Sequence, residues 1–191
     1  MEKQAMTYLM SSGLIFINMQ KEFLLYEFWI LSIQGAFQRS NAYKKEATEK
    51  KRIEFRRELK TFVDNELVSQ YHNPVSEKQH EENIQKLCDH SKQKKYKHLF
   101  EKGSLNIGVS QKLLNLYLKY QWCNGWIPTP PHFPVDRIIQ QNIKVKPLKP
   151  WTQFETIEEY RTVIQFAKEY LEKEKKYTSL AEMELHLFSR R

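Results

Sequence analysis

Glycine is scarce in this chain, 5 of 191 residues, and cysteine scarcer still, with Cys88 and Cys123 alone. Two cysteines make no disulfide framework, and they cannot supply the thiolates of a four-cysteine iron–sulfur cluster or zinc site. His80 and His90 are ten residues apart, which does not fit a helical metal pair, so no metal site is expected. The long stretches with neither glycine nor proline argue against a sheet protein and for an all-α fold. A charge-free run of membrane-spanning length is also lacking, because the most apolar region, residues 7–37, is interrupted by Lys21, Glu22 and Glu27. That region has no basic leader with a cleavage site either, which sets the expectation of a cytoplasmic protein without a membrane partner. With no internal repeat, low-complexity tract or long linker, residues 1–191 are expected to form a single helical domain, as a monomer.

What the chain does have is positive charge. A formal net charge of +8 favours a polyanionic partner, and double-stranded DNA is the expected one. Charge alone does not decide this, since anionic membranes attract basic chains too.

The sharply spaced chemistry lies in Ser104 to Ile139, SLNIGVSQKLLNLYLKYQWCNGWIPTPPHFPVDRII. From Ser110 the residues QKLLNLYLKYQW favour a helix by propensity, with Ser110 as the expected N-cap. Gly108 just before it would let the chain turn tightly and leave amide N–H groups free to hold an anion such as a DNA phosphate. Upstream, Gln93 to Lys102 reads as a short basic helix closed by Gly103. Helix, hairpin, helix is the local architecture expected, over about residues 93–143. Lys112 would lie in the first turn of the second helix, whose positive end and basic surroundings disfavour its ammonium. Asp136, after Pro134 and Val135, opens the next helix. Taken singly, Lys112 could be an ordinary exposed helix lysine and Asp136 an ordinary N-cap.

Jointly, Gly108-Val109-Ser110-Gln111-Lys112 followed by Pro134-Val135-Asp136 resembles the signature of the helix-hairpin-helix DNA glycosylase superfamily. In its bifunctional members a Gly-Val-Gly-x-Lys hairpin carries an amine nucleophile, and a Val-Asp at the next helix start carries the catalytic carboxylate. The order is the same here. The separation of 24 positions from Lys112 to Asp136 exceeds the commonest family spacing, with an insertion falling in Cys123 to Phe133. Ser110 replaces the second glycine, and Asn106-Ile107 stands where Leu-Pro is usual. The resemblance covers about 36 residues. It implies a helix-hairpin-helix glycosylase-like domain that excises a damaged or modified base, with AP lyase activity through a Lys112 Schiff base and Asp136 stabilising the developing charge. Ile107, Gly108, Val109, Ser110 and Gln111 would then contact the DNA backbone. No iron–sulfur cluster is expected, and a monovalent cation at the hairpin is compatible with the pattern. A non-catalytic helix-hairpin-helix nucleic-acid-binding protein is the alternative, and a purely helical interaction protein a third reading.

The loop Gln121 to Phe133 joins the two proposed catalytic residues, and its prolines and Gly125 forbid a continuous helix. Trp122, Trp126, His132 and Phe133 are base-pocket candidates there, since an extruded base stacks on aromatic faces; plugging a gap between helices would serve the tryptophans equally. Trp29 and Gln34 of the first helix are further candidates by the resemblance, with plain core packing as the competing role for Trp29. In that helix Phe23, Leu24, Glu27, Phe28, Leu31 and Phe37 form the expected buried stripe. Ile53, Phe55, Leu59, Phe62 and Val63 are the apolar positions of a charge-dense helix that follows. Pro74 should break the chain, Ser76 and Gln79 should open the helix carrying Ile84, Leu87 and Cys88, and Thr152 or Thr156 and then Ser179 should cap the last two.

Overall fold

A computed structural model of the chain describes residues 2–188, with side chains from Phe16 onward; residues 7–15 of the expected apolar helix therefore lie outside the described side chains. The protein is all-α: α1 (Glu2–Phe37), α2 (Glu49–Phe62), α3 (Glu77–Ser91), α4 (Ile107–Cys123), α5 (Arg137–Asn142), α6 (Ile157–Glu174) and α7 (Leu180–Leu187). No strand occurs among the described residues; the one extended pairing is a bridge between Tyr43 and Phe100. Among the described residues no helix is long and apolar enough to cross a membrane.

The core is built around α4, which packs against α1, α3, α6 and a 3₁₀ turn at Trp151–Gln153. Its residues from Ile107 to Asn115 are all buried, the polar ones included. The expected cap is corrected here: α4 starts at Ile107, and its N-cap is Asn106, whose side chain accepts from the Val109 amide at 2.9 Å. Ser110 lies a full turn inside, with no exposed surface. Gly108 serves a close approach and not a turn. A Cβ built on it would sit 1.7 Å from the Trp151 carbonyl oxygen, and its N–H donates to the Phe154 carbonyl at 3.0 Å.

Residues 93–102 depart from the expected helix as well. They form successive tight turns, Tyr96 N–H to Gln93 and Leu99 N–H to Tyr96, ending at Gly103 with φ +77°. The cause is the pairing with residues 42–44: Lys44 N–H donates to Leu99 O at 2.9 Å and Glu101 N–H to Ala42 O at 3.0 Å. That ladder pulls the backbone out of helical register and seats Tyr96 and Phe100 edge-on against Phe55. The segment before α4 is thus a turn, not the first helix of a helix-hairpin-helix.

In α1 the buried stripe runs through Phe28, Trp29, Ser32, Ile33 and Ala36, whereas Phe23 and Leu31 are exposed. The small residues Ser32 and Ala36 decide this, because they let α1 lie close to α4; Ser32 satisfies its hydroxyl on the Phe28 carbonyl at 2.7 Å. In α2, Phe55 and Leu59 are buried and Ile53 is exposed, and Val63 just beyond its end is buried too. The helix continues into a π turn at Val63–Leu67 and a 3₁₀ turn at Val68–His72 before the break at Pro74. The caps at Ser76, Thr156 and Ser179 form as the sequence indicates, Thr156 and Glu159 making a reciprocal capping box, whereas the expected box at Ser76 is a one-way cap because the Gln79 side chain donates to Asn83 instead.

In an ordinary helix Gly→Ala stabilises by about 1 kcal/mol. Gly108→Ala should invert that sign and cost about 1–3 kcal/mol, the range for forcing atoms into a filled site. Urea denaturation of the two proteins checks it; an unchanged or higher midpoint would show that the 151–154 turn is not held against α4.

Candidate functional site

Lys112 and Asp136 meet. The Lys112 ammonium donates to Asp136 Oδ2 at 3.0 Å, joining the second turn of α4 to the first residue before α5. The lysine side chain is 9% exposed and the aspartate side chain 29%, so the pair is open on the carboxylate side. Asp136 is also the N-cap of α5, its Oδ1 accepting from the Ile139 amide at 3.0 Å. One carboxylate therefore caps a helix and neutralises a buried cation at once.

The backbone that carries Asp136 is fixed by Gln111. Its side-chain amide donates to the Val135 carbonyl at 2.9 Å and accepts from the Val135 N–H at 3.0 Å, a two-bond clamp on the residue before the carboxylate. Sequence reasoning placed Gln111 among the amides facing DNA. Its useful group is the side chain, aimed inward.

Burial drives Lys112 toward the neutral amine, and the attraction of Asp136 only partly offsets it, so its pKa lies below the ordinary 10.5. For Asp136 burial also opposes the charged form, but the ammonium of Lys112 and the Ile139 and Ile138 amides outweigh it, and its pKa lies below 3.8. The two shifts differ in which influence wins. The carboxylate has three partners and an open side, while the ammonium has one carboxylate and almost no water.

A second ion pair stands beside the first. Lys119 donates to Glu184 Oε2 at 2.6 Å, with both side chains nearly buried, and burial raises the Glu184 pKa. Lys119 lies two turns along α4 from Lys112, and its ammonium also sits 4.3 Å from the Phe188 ring centroid. Neither residue was picked out from sequence. The signal was there: Lys112 and Lys119 are seven apart on one helical face, and Glu184 lies among the apolar positions of α7.

The hairpin candidates are not free to grip a phosphate. Ile107, Val109, Ser110 and Gln111 are buried, and the amides of Gly108, Val109 and Ser110 are spent on Phe154 O, Asn106 Oδ1 and Asn106 O. The base-pocket candidates separate into groups. Trp122, His132 and Phe133 surround a space too tight to admit a water, between Lys119, Pro134 and Glu184. Phe133 is core. His132 is buried, with Nδ1 3.1 Å from the Tyr160 hydroxyl and its ring edge-on to His80. Trp126 packs on Phe28 at 5.6 Å between ring centroids, under the Lys21 ammonium. Trp29 and Gln34 line a separate cleft between α1 and α2. The Lys112 ammonium lies over the Trp151 ring, 5.9 Å from its centroid, a contact that the sequence does not suggest. Among the described residues, no group of three histidine, cysteine, aspartate or glutamate side chains could hold a metal ion.

Because the folded Asp136 pKa is depressed, its contribution to stability is fully present above 3.8 and is lost as pH falls through the lower folded value. Lys112→Met removes the ammonium and leaves the burial. The Asp136 midpoint, followed by carboxyl-carbon NMR, should then rise by about one pH unit or more, within the range for a charge partner at this distance. An unmoved midpoint would mean that the pair does not exist in solution.

Gln111→Leu should cost about 2–4 kcal/mol, because it strands the buried Val135 N–H and carbonyl together, each worth about 1–3 kcal/mol when unsatisfied. The Asp136 midpoint should move upward with it as the α5 cap loosens. A loss of stability with that midpoint unchanged would confine Gln111 to packing.

Comparison with family models, with curated proteins and with solved structures finds no match to this chain, so the arrangement of Lys112, Asp136 and Gln111 must itself carry the functional argument.

Proposed function

We propose that this chain acts on DNA as a base-excising enzyme of the Schiff-base type, with Lys112 as nucleophile and Asp136 as its carboxylate partner. The observation that carries the reading is the buried 3.0 Å pair, in which a lysine is desolvated enough to loosen its proton while a carboxylate is held ionised beside it. An amine nucleophile must be neutral to attack, and burial is a physical route to that state. A carboxylate that stays charged can stabilise the positive charge growing on the sugar as the glycosidic bond breaks.

In this scheme the neutral amine of Lys112 bonds to the anomeric carbon, and the bond from that carbon to the base breaks with its electron pair passing to the base. The base leaves with the proton that the attacking nitrogen gives up. Opening of the sugar ring yields an imine to Lys112, from which β-elimination breaks the strand. The glycosylase-like sequence order of Lys112 followed by Pro134-Val135-Asp136 supports the same assignment of roles, without the preceding hairpin. The net charge of +8 supports a polyanionic substrate.

A second reading is a nucleic-acid-binding protein in which the pair is purely structural, which the net charge of +8 supports equally. It also accommodates the tight space at Trp122, His132 and Phe133.

Borohydride trapping on duplexes bearing an abasic site or one of several modified bases separates the two. The first reading gives a covalent adduct that Lys112→Gln abolishes and that Asp136→Asn slows by about 10²–10³-fold, the loss seen when one transition-state electrostatic partner is removed. Adduct formation should also speed up as pH rises toward the lowered Lys112 pKa and level off there. No adduct on any duplex, with binding retained, would give the field to the second reading.

A further inference from the structure

A groove runs between α1 and α2, well away from Asp136. Its first part encloses about 400 Å³ and its second about 530 Å³, and the two are continuous through Ile33, Gln34 and Arg56, which line both. The floor is apolar, with Trp29, Ile30 and Ile33 below and the exposed Tyr26 and Ile53 at the lips. The α2 wall is cationic. Arg52, Arg56 and Lys60 follow one another at four-residue intervals on one face, spanning about 12 Å of helix, and Arg57 stands beside them.

We propose that this groove seats a segment of single-stranded nucleic acid, its bases on the apolar floor and its phosphates along the α2 cations. The proposal rests on the nucleic-acid reading of the chain but not on catalysis at Lys112. Three features select that occupant. The groove is longer than a small ligand requires, extending from Tyr26 to Gln38, about 18 Å along α1. Its cations form a row and not a cluster, which suits a repeating anion better than a single carboxylate or phosphate. Its lips carry a large exposed ring, Tyr26, beside an exposed Ile53, the kind of surface on which bases stack without sequence preference.

The charge balance of the wall is legible too. Arg56 is held by Glu49, Arg52 donates to the Lys44 carbonyl at 3.0 Å with Glu49 3.9 Å away, and Lys60 donates to Asp64 at 2.5 Å, whereas the Arg57 guanidinium has no ion-pair partner among the described residues. Glu49 is thus the one carboxylate lining the groove, and a phosphate entering it would displace Glu49 from the two arginines.

The test is fluorescence anisotropy with a labelled oligothymidylate of about ten nucleotides, within the usual footprint of such sites. Arg56→Ala combined with Arg57→Ala, and separately Ile53→Glu, should each weaken binding about tenfold or more and lower its salt dependence in the arginine variant. Glu49→Gln should tighten it at least about twofold through the freed guanidinium groups, a gain that damage to the fold would not produce. Thermal melts of all three verify the fold. Unchanged affinity in well-folded groove variants overturns the proposal, as does complete displacement of the protein's groove contacts by vesicles containing anionic lipid but not by competing oligonucleotide. Failure here is separable from failure at Lys112. A borohydride adduct of normal yield together with groove variants that bind normally removes the groove alone. Groove variants that lose the oligonucleotide, with no adduct on any duplex, remove the nucleophile alone.

Discussion

The first half of α4, Ile107 to Asn115, is buried on every side, so each polar group it carries gains from a partner, and the helix carries several. Ser110, Gln111, Lys112, Asn115 and Gln121 are all at most 7% exposed. Desolvating such groups without partners costs far more than a typical contact returns. The fold around α4 supplies partners for Gln111, Lys112 and the Asn115 amide nitrogen, whereas Ser110 Oγ and Gln121 Nε2 have no hydrogen-bond partner among the described residues. The Pro134–Asp136 step provides a peptide unit for Gln111 and a charge for Lys112, α6 provides the Tyr160 hydroxyl that Asn115 donates to at 3.1 Å, and α7 provides Glu184 for Lys119. Apolar packing alone would have allowed α5 to slide along α4. The Gln111 clamp, with two bonds in fixed geometry, does not.

The same requirement explains why the Lys112–Asp136 pair is chemically asymmetric. A buried pair contributes little net stability, because the desolvation of both ions consumes most of their attraction. What it does offer is control of protonation. Asp136 keeps an open side and two amides, so its charge is secure, while Lys112 has Asp136 as its one hydrogen-bonded carboxylate and the charge of Glu184 beyond it. Remove or redirect Asp136 and the lysine has every reason to release its proton. A carboxylate that also caps α5 cannot swing away freely, so any ligand that competes for it must work against the helix end as well.

The order of the helices and most of their caps could be worked out from the residues, because capping and proline breaks are local. Ser76, Thr156 and Ser179 each sit beside the amide they bond, and no distant contact overrides them. The coming together of Lys112 and Asp136 was also legible, through the pairing of two short patterns. Errors arose where a distant element decided a local question. Gly108 reads as a turn glycine until the Trp151 carbonyl appears against it, and residues 93–102 read as a helix until residues 42–44 pair with them. In α1 nearly every residue from Phe23 to Leu31 is large and apolar, so periodicity had no contrast to work with. The buried face was chosen by the small residues Ser32 and Ala36. Glu184 and Trp151 were hidden for a related reason, since their roles depend on the return of the chain to α4 many residues later.

Position along α4 also sets how the groove and the ion pair relate. Tyr117, which meets Trp29 of the groove edge-on at 5.4 Å, is five residues from Lys112. That places the two about 7.5 Å apart along the axis but on well-separated faces of the helix. A strand lying in the α1–α2 groove therefore cannot present the same nucleotide to Lys112 by a simple shift along α4. It would have to pass around α1 or belong to a different part of the nucleic acid. The groove and the ion pair are thus separable by construction, held in fixed relation by one rigid helix. A chain organised this way can tolerate changes in its cationic wall without disturbing the protonation of Lys112, because among the described residues no hydrogen bond or ion pair joins Arg52, Arg56, Arg57 or Lys60 to Lys112 or Asp136.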